Sequence, residues 1–230
     1  MLGESLVSVY DMIIDKYCWM LSRLGKSLRL QGKCLYSTQE KKNVIVVPKR
    51  YQIPFTKYNH LESEIQTALS CKNLAVLIKE NLELFTDDHV AGVFNQIGYY
   101  DLPVDDHFHT VIAPIAVEWV RTFNREQATA LTSILLTLTL RNISAPELEK
   151  IVVKKLDEEN IYRYVNLHQT VALFNQLSKV TRFLNSPLFI KLQNVIYQQK
   201  AFYAQHPDLL KAIHEGLDAV EAQTKGEKPL

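Results

Sequence analysis

Two runs of the sequence combine the residue types that bind metals or move protons: Asp87-Asp88-His89 and Asp105-Asp106-His107-Phe108-His109. Imidazole and carboxylate are both zinc ligands, and the His107/His109 pair is the better candidate. A plainer chemistry competes with this reading. Each run opens a segment of helical pattern, where acids favour the positive end of the helix dipole and Thr86 or Asp105 can cap free backbone N–H groups. The basic residues Lys150, Lys154, Lys155, Arg182 and Lys191, with Tyr197, form a second candidate, a patch in which cations meet phosphate and an aromatic stacks on bases of RNA. Glu147, Glu149, Asp157, Glu158 and Glu159 share that element, so a solvated face of mixed charge is the alternative. The third group is aromatic: Tyr99, Tyr100, Trp119, Tyr162, Tyr164 and Tyr203 are residue types enriched at protein interfaces, against the alternative of ordinary core packing.

Enzyme signatures are missing from this inventory. The seven glycines make no phosphate-binding loop, and there is no G-x-S-x-G elbow or H-E-x-x-H motif. The expectation is a non-enzymatic protein with no cofactor. The 26 basic and 25 acidic residues leave a net charge of +1, so no global field draws the chain to nucleic acid. Cys18, Cys34 and Cys71 are too few and too scattered for a disulfide framework and point to a reducing compartment.

The elements that would position these groups are helical and repeated. From 123 to 142 the chain reads F-N-R-E-Q-A-T-A-L-T-S-I-L-L-T-L-T-L-R-N, a stretch with no strongly polar face, as expected of a helix buried on all sides. Val90 to Ile97, Ala128 to Leu135 and Thr170 to Leu177 lie over one another, and the first and third share Phe-Asn-Gln at 94–96 and 174–176. Phe85, Phe123 and Val165 precede the three helices, which sets a period of about 40 residues. Gly92, Ala130 and Ala172 fall together and predict a close helix crossing there. A second helix follows each first one, announced by Pro103, Pro146 and Pro187, with a Ser144/Glu147 capping box and Ser186 as an N-cap. Residues 60–85 read as a preceding helical hairpin with Leu61, Ile65 and Leu69 on one stripe. The fold expected is all-α: an α-solenoid of paired antiparallel helices with an extended N-terminal arm.

Domain organisation follows. Residues 37–57 form the arm, whose β-branched run and prolines Pro48 and Pro54 oppose helix. Residues 58–222 form the helical-repeat domain, ending in a capping helix from Pro207, and 223–230 form a loose tail. Residues 1–36 carry a basic, acid-free stretch at 20–39 suited to a mitochondrial leader, behind acids at Glu4, Asp11 and Asp15 that such leaders avoid. The alternative is a retained N-terminal helix with Leu6, Val9, Tyr10, Ile13 and Tyr17 on one face. No run reaches the length of a membrane span, which leaves peripheral association open.

Phe85-Thr86-x-x-His89-Val90-Ala91, followed by Val93, Phe94 and Ile97, resembles the first helix of the paired-helix repeats in FAST-kinase-like and octotricopeptide-type organellar proteins. The resemblance covers about residues 72–200. It implies a helical-repeat fold and an organellar address, and it brings RNA metabolism into view. Two features depart from those families: no basic C-terminal domain follows the repeats, and the repeats lack a strong positive charge. The expected function is therefore a scaffold or accessory subunit of a large mitochondrial assembly: a respiratory-chain complex, ATP synthase or the mitoribosome. It would sit in the matrix or on the matrix side of the inner membrane, with protein subunits as partners. An organellar RNA-binding or RNA-processing factor is the alternative.

Overall fold

The computed structural model describes residues 45–158, 160–203 and 205–226, and every regular element among them is helical. The leader or helix expected over 1–36, the first part of the arm and the end of the tail lie outside the described residues. The helices are α1 (Phe55–Thr67), α2 (Cys71–Glu80), α3 (Asp87–Tyr99), α4 (Ala113–Thr122), α5 (Ala128–Leu140), α6 (Pro146–Glu158), α7 (Leu167–Ser178), α8 (Pro187–Gln198) and α9 (Pro207–Gly226). They pack as two rows. One row is α1, α3, α5, α7 and α9, each against the next; in the other, α4 packs on α6 and α6 on α8, while α2 meets the turn that leads into α4. Alternate helices thus fall in alternate rows, the arrangement the repeated pattern predicts.

The first row runs parallel, as side-chain bonds between helix ends show. Gln96 Nε2 donates to the Ala68 carbonyl (3.0 Å) at the ends of α3 and α1, and Gln223 Nε2 donates to the Ser178 carbonyl (3.2 Å) at the ends of α9 and α7. At the opposite edge the Tyr58 hydroxyl of α1 donates to Asp88 of α3 (3.1 Å). The chain therefore has a helix-start edge and a helix-end edge, and these edges carry its candidate functional groups.

In the middle of the row, α5 exposes only Thr129 and Leu140. Two of its hydroxyls bond in different ways, while that of Thr132 is buried without a partner. Thr139 bonds back to the Leu135 carbonyl (2.8 Å), whereas Thr137 reaches across to the Phe94 carbonyl of α3 (2.7 Å). The close approach between these helices occurs at Gly98, where a Cβ would stand 2.9 Å from Thr137 Oγ1. Two of the aligned small residues are not close-approach points: Gly92 faces Ile65 with ordinary room (3.5 Å) and Ala172 is exposed, whereas the third, Ala130, is buried in α5. The point of nearest approach is set by where two helices meet in space, not by their register in an alignment. The repeat itself is real in the core, since Phe85, Phe123 and Val165 are all buried and Phe94 and Phe174 are fully so.

The second helices begin by different routes. Ser186 Oγ accepts from the Phe189 N–H (3.2 Å), with Pro187 in the first turn of α8. In α6, the Glu149 N–H reaches the Ala145 carbonyl, so Ala145 rather than Ser144 stands before the first helical residue. The Ser144/Glu147 box is displaced, and Glu147 turns to Arg121 instead (3.3 Å). Pro103 precedes the helical turn that starts at Asp106, but Pro114 shapes it more. Phe108–Ile112 forms a π-helical turn, closed by the Ala113 N–H on the Phe108 carbonyl, directly before Pro114. A proline N bonds no carbonyl and its ring crowds the preceding turn, and the wider π turn makes room for it.

Candidate protein-interaction surface

The polar groups of the helix-start edge are largely matched to one another, with Tyr51 and Phe55 exposed beside them. Thr86 caps α3, its Oγ1 accepting from the His89 N–H (3.4 Å), while the Thr86 N–H donates to His89 Nδ1 (3.1 Å). His89 thus fills the place usually held by Glu or Gln in a capping box. Its Nε2–H donates to the Tyr58 carbonyl (3.3 Å), which assigns the neutral tautomer, and burial pushes its pKa down. Asp105 caps the second run, accepting from the N–H groups of His107 (2.9 Å) and Phe108 (3.3 Å). Both histidine-bearing runs therefore act as helix starts. Among the described residues no group of three or more His, Cys, Asp or Glu lies close enough to hold a metal.

Asp87 is the most perturbed carboxyl here. Burial, then the neighbouring Asp88 charge, pushes its pKa up to about 6. Arg50 pairs with Asp88 (3.3 Å) and lies over the Tyr58 ring (4.7 Å), and Lys49 pairs with Glu126 (3.4 Å). The residues before α1 therefore lie against the starts of α3 and α5.

The helix-end edge is different in kind. At the ends of α1, α3 and α5, Leu69 is 80% exposed, Tyr100 69%, Tyr99 53% and Leu140 52%. Arg141 links the ends of α3 and α5 by donating to the Leu102 carbonyl (3.4 Å) and pairing with Asp101. These four side chains therefore belong to adjacent helix ends. The sequence pattern places Leu69 on the buried stripe of α1, but that helix stops at Thr67, and the residue two positions on swings out of register. Leu140 likewise closes an otherwise buried helix.

The six aromatics expected as interface anchors divide. Tyr99, Tyr100 and Tyr164 are exposed. Trp119, Tyr162 and Tyr203 are core residues: Trp119 is fully buried and stacks on Phe85 with ring centroids 5.3 Å apart. A ring enclosed by its own chain presents no surface to a partner. Sequence composition does not distinguish these cases, because Tyr and Trp serve both roles.

The basic candidates do share a region, but acids meet them there. Arg182 makes a two-pronged contact with Glu149 (3.0 and 2.6 Å), which raises its pKa; Lys191 meets Asp157 (2.7 Å) and Lys154 meets Glu158 (3.7 Å). Lys155 donates to the Phe123 carbonyl (2.9 Å). Tyr197 is exposed on α8, and Lys150 lines a groove of about 320 Å³ between α6 and α8. A second groove, about 390 Å³, lies between α4 and α6 and is lined by His109, Pro114, Val117, Glu118 and Leu148. Cations already matched to carboxylates leave little unbalanced charge for phosphate.

The described residues thus form an all-α stack of helical hairpins, with Leu69, Tyr99, Tyr100 and Leu140 exposed together at one edge. No protein-family model matches it, and no curated protein matches it.

Proposed function

We propose that the protein is a non-enzymatic helical-repeat scaffold, an accessory subunit that binds other proteins within a large mitochondrial assembly. The observation that carries the binding role is the row of Leu69, Tyr99, Tyr100 and Leu140 on adjacent helix ends. Exposed Leu and Tyr side chains gathered on neighbouring elements supply apolar area and aromatic anchors for a partner. The mitochondrial address rests on the acid-free basic stretch at 20–39 and on the resemblance of residues 72–200 to organellar repeats. No helix among the described residues is long and apolar enough to cross a membrane, which fits attachment through protein contacts. An RNA-binding role draws less support, because Arg182, Lys154 and Lys191 are already paired with acids.

The test is native purification of the full chain with mass spectrometry, alongside a Leu69→Ser/Tyr100→Ser variant. The expected result is a stoichiometric protein partner from mitochondria that the variant loses while remaining folded. A monomer with no stoichiometric partner, or a complex indifferent to the variant, overturns the binding surface. Recovery from another compartment overturns the address alone.

A further inference from the structure

Residues 45–53 are attached to the repeats in an unusual way. The backbone hydrogen bonds seen in this segment stay inside it, Gln52 N–H to the Lys49 carbonyl (2.8 Å) and Ile53 N–H to the Arg50 carbonyl (3.3 Å). Its hold on the body is made by side chains. Ile45 and Val47 pack against the core while Val46 points away at 65% exposure, the alternation of an extended chain. Ile53 is buried at the far end, and Pro54 stands directly before α1. Between these anchors Lys49 reaches Glu126 and Arg50 reaches Asp88, and all four side chains are roughly half exposed. Ion pairs in that setting are weak and screened by salt.

The contrast with the neighbouring elements is sharp. The helices of the row are joined by buried bonds such as Thr137 to Phe94 and Gln96 to Ala68, which cannot be broken without opening the core. Among the described residues no buried side-chain bond of that kind reaches residues 45–52. We infer that this segment is a releasable strap: it covers the starts of α3 and α5 with its own two cations and leaves that edge as a unit while the repeats stay folded. It occupies Asp88, Glu126 and the face of Tyr58, and its departure opens that edge and frees Lys49 and Arg50 together.

Limited proteolysis of the full chain reads this directly, because trypsin cuts after Lys49 and Arg50 only when the surrounding residues leave the body and extend into the protease. Wild type is compared with Asp88→Asn/Glu126→Gln in one buffer, with cleavage sites identified by mass. The amide introduced at position 88 retains an acceptor for the Tyr58 hydroxyl, and the urea midpoint reports any effect of the lost charge on α3 itself. Cutting after these two residues is expected to be roughly three- to tenfold faster in the variant, with an unchanged urea midpoint. Chymotryptic cutting after Tyr51 should accelerate in parallel. Equal rates in the two proteins overturn the inference, since the ion pairs would then not hold the segment. Acceleration matched by a fall in the urea midpoint overturns it as well, because the segment would then leave only when the repeats unfold.

Discussion

The two edges of the α1–α3–α5 row solve the same problem with different materials. A helix start leaves N–H groups without partners and a helix end leaves carbonyls. At the start edge, side chains do the work: Thr86 caps α3, Asn124 accepts from the Glu126 N–H (2.8 Å) and Asn166 from the Gln169 N–H (2.8 Å). At the end edge the backbone closes on itself after α3 and α5, while the Gln96 side chain serves the Ala68 carbonyl at the end of α1. Asn142 takes φ 48°, and the Ile143 N–H returns to the Leu138 carbonyl (2.8 Å), a Schellman closure; Asp101 takes φ 55° at the matching place after α3. Tyr100 and Leu140 stand exposed beside these closures, next to Leu69 and Tyr99, whereas at the start edge the exposed Tyr51 and Phe55 lie among ion pairs and caps.

Both edges depend on the packed row between them, so the largest effect is expected there. Leu131→Ala or Leu135→Ala in α5 should lower the unfolding free energy by roughly 2–5 kcal/mol in urea denaturation, disturbing both edges at once. Next comes the crossing near the end edge. Gly98→Val should cost about 1–3 kcal/mol, because its side chain would enter the space of Thr137. Partial rescue by Thr137→Ala would identify that contact as the cause.

The start edge should show itself through pH. Asp87 has a pKa of about 6 in the folded protein against 3.8 ordinarily, so the folded state holds its proton more tightly than the unfolded one. The stabilisation this gives is fully present below about pH 4 and is lost as pH rises through 6. Asp87→Asn should therefore gain on wild type by about 2 kcal/mol between pH 4 and 7.5, measured by denaturation across that range. A constant difference would mean that Asp87 is not the group responsible. The smallest effect on stability is expected at the end edge. Tyr100→Ser should change the urea midpoint by no more than about 0.5 kcal/mol equivalent while weakening partner binding. A large loss of stability would show that the exposed row is structural, and the contrast between the edges would fail.

Much of the fold was legible in the chain because its signals are local. The three aligned helices, the prolines at Pro146 and Pro187 and the Ser186 cap each follow from a few neighbouring residues, while the arm expected to be extended turns as a short helix at Arg50–Gln52 and gives way to α1 at Phe55. The candidate surface was legible only in part. Tyr99, Tyr100 and Tyr164 are exposed, as an interface role requires, but Trp119, Tyr162 and Tyr203 carry the same residue-type signal and lie inside. Leu69 and Leu140 looked like core. Their exposure depends on where α1 and α5 stop, by one or two residues, and hydrophobic periodicity does not resolve a boundary that finely.

By itself, then, the sequence determined that the chain is helical, repeated and built around an apolar helix at 128–140. Helix period and capping act over three or four residues and need no partner to be read. Tertiary structure alone decided which small residue lies at the helix crossing, which cations are matched by acids and which aromatics face solvent. Each of those outcomes depends on side chains far apart in sequence. Gly98 meets Thr137, Arg182 meets Glu149, and Phe85 meets Trp119 only after the rows have formed.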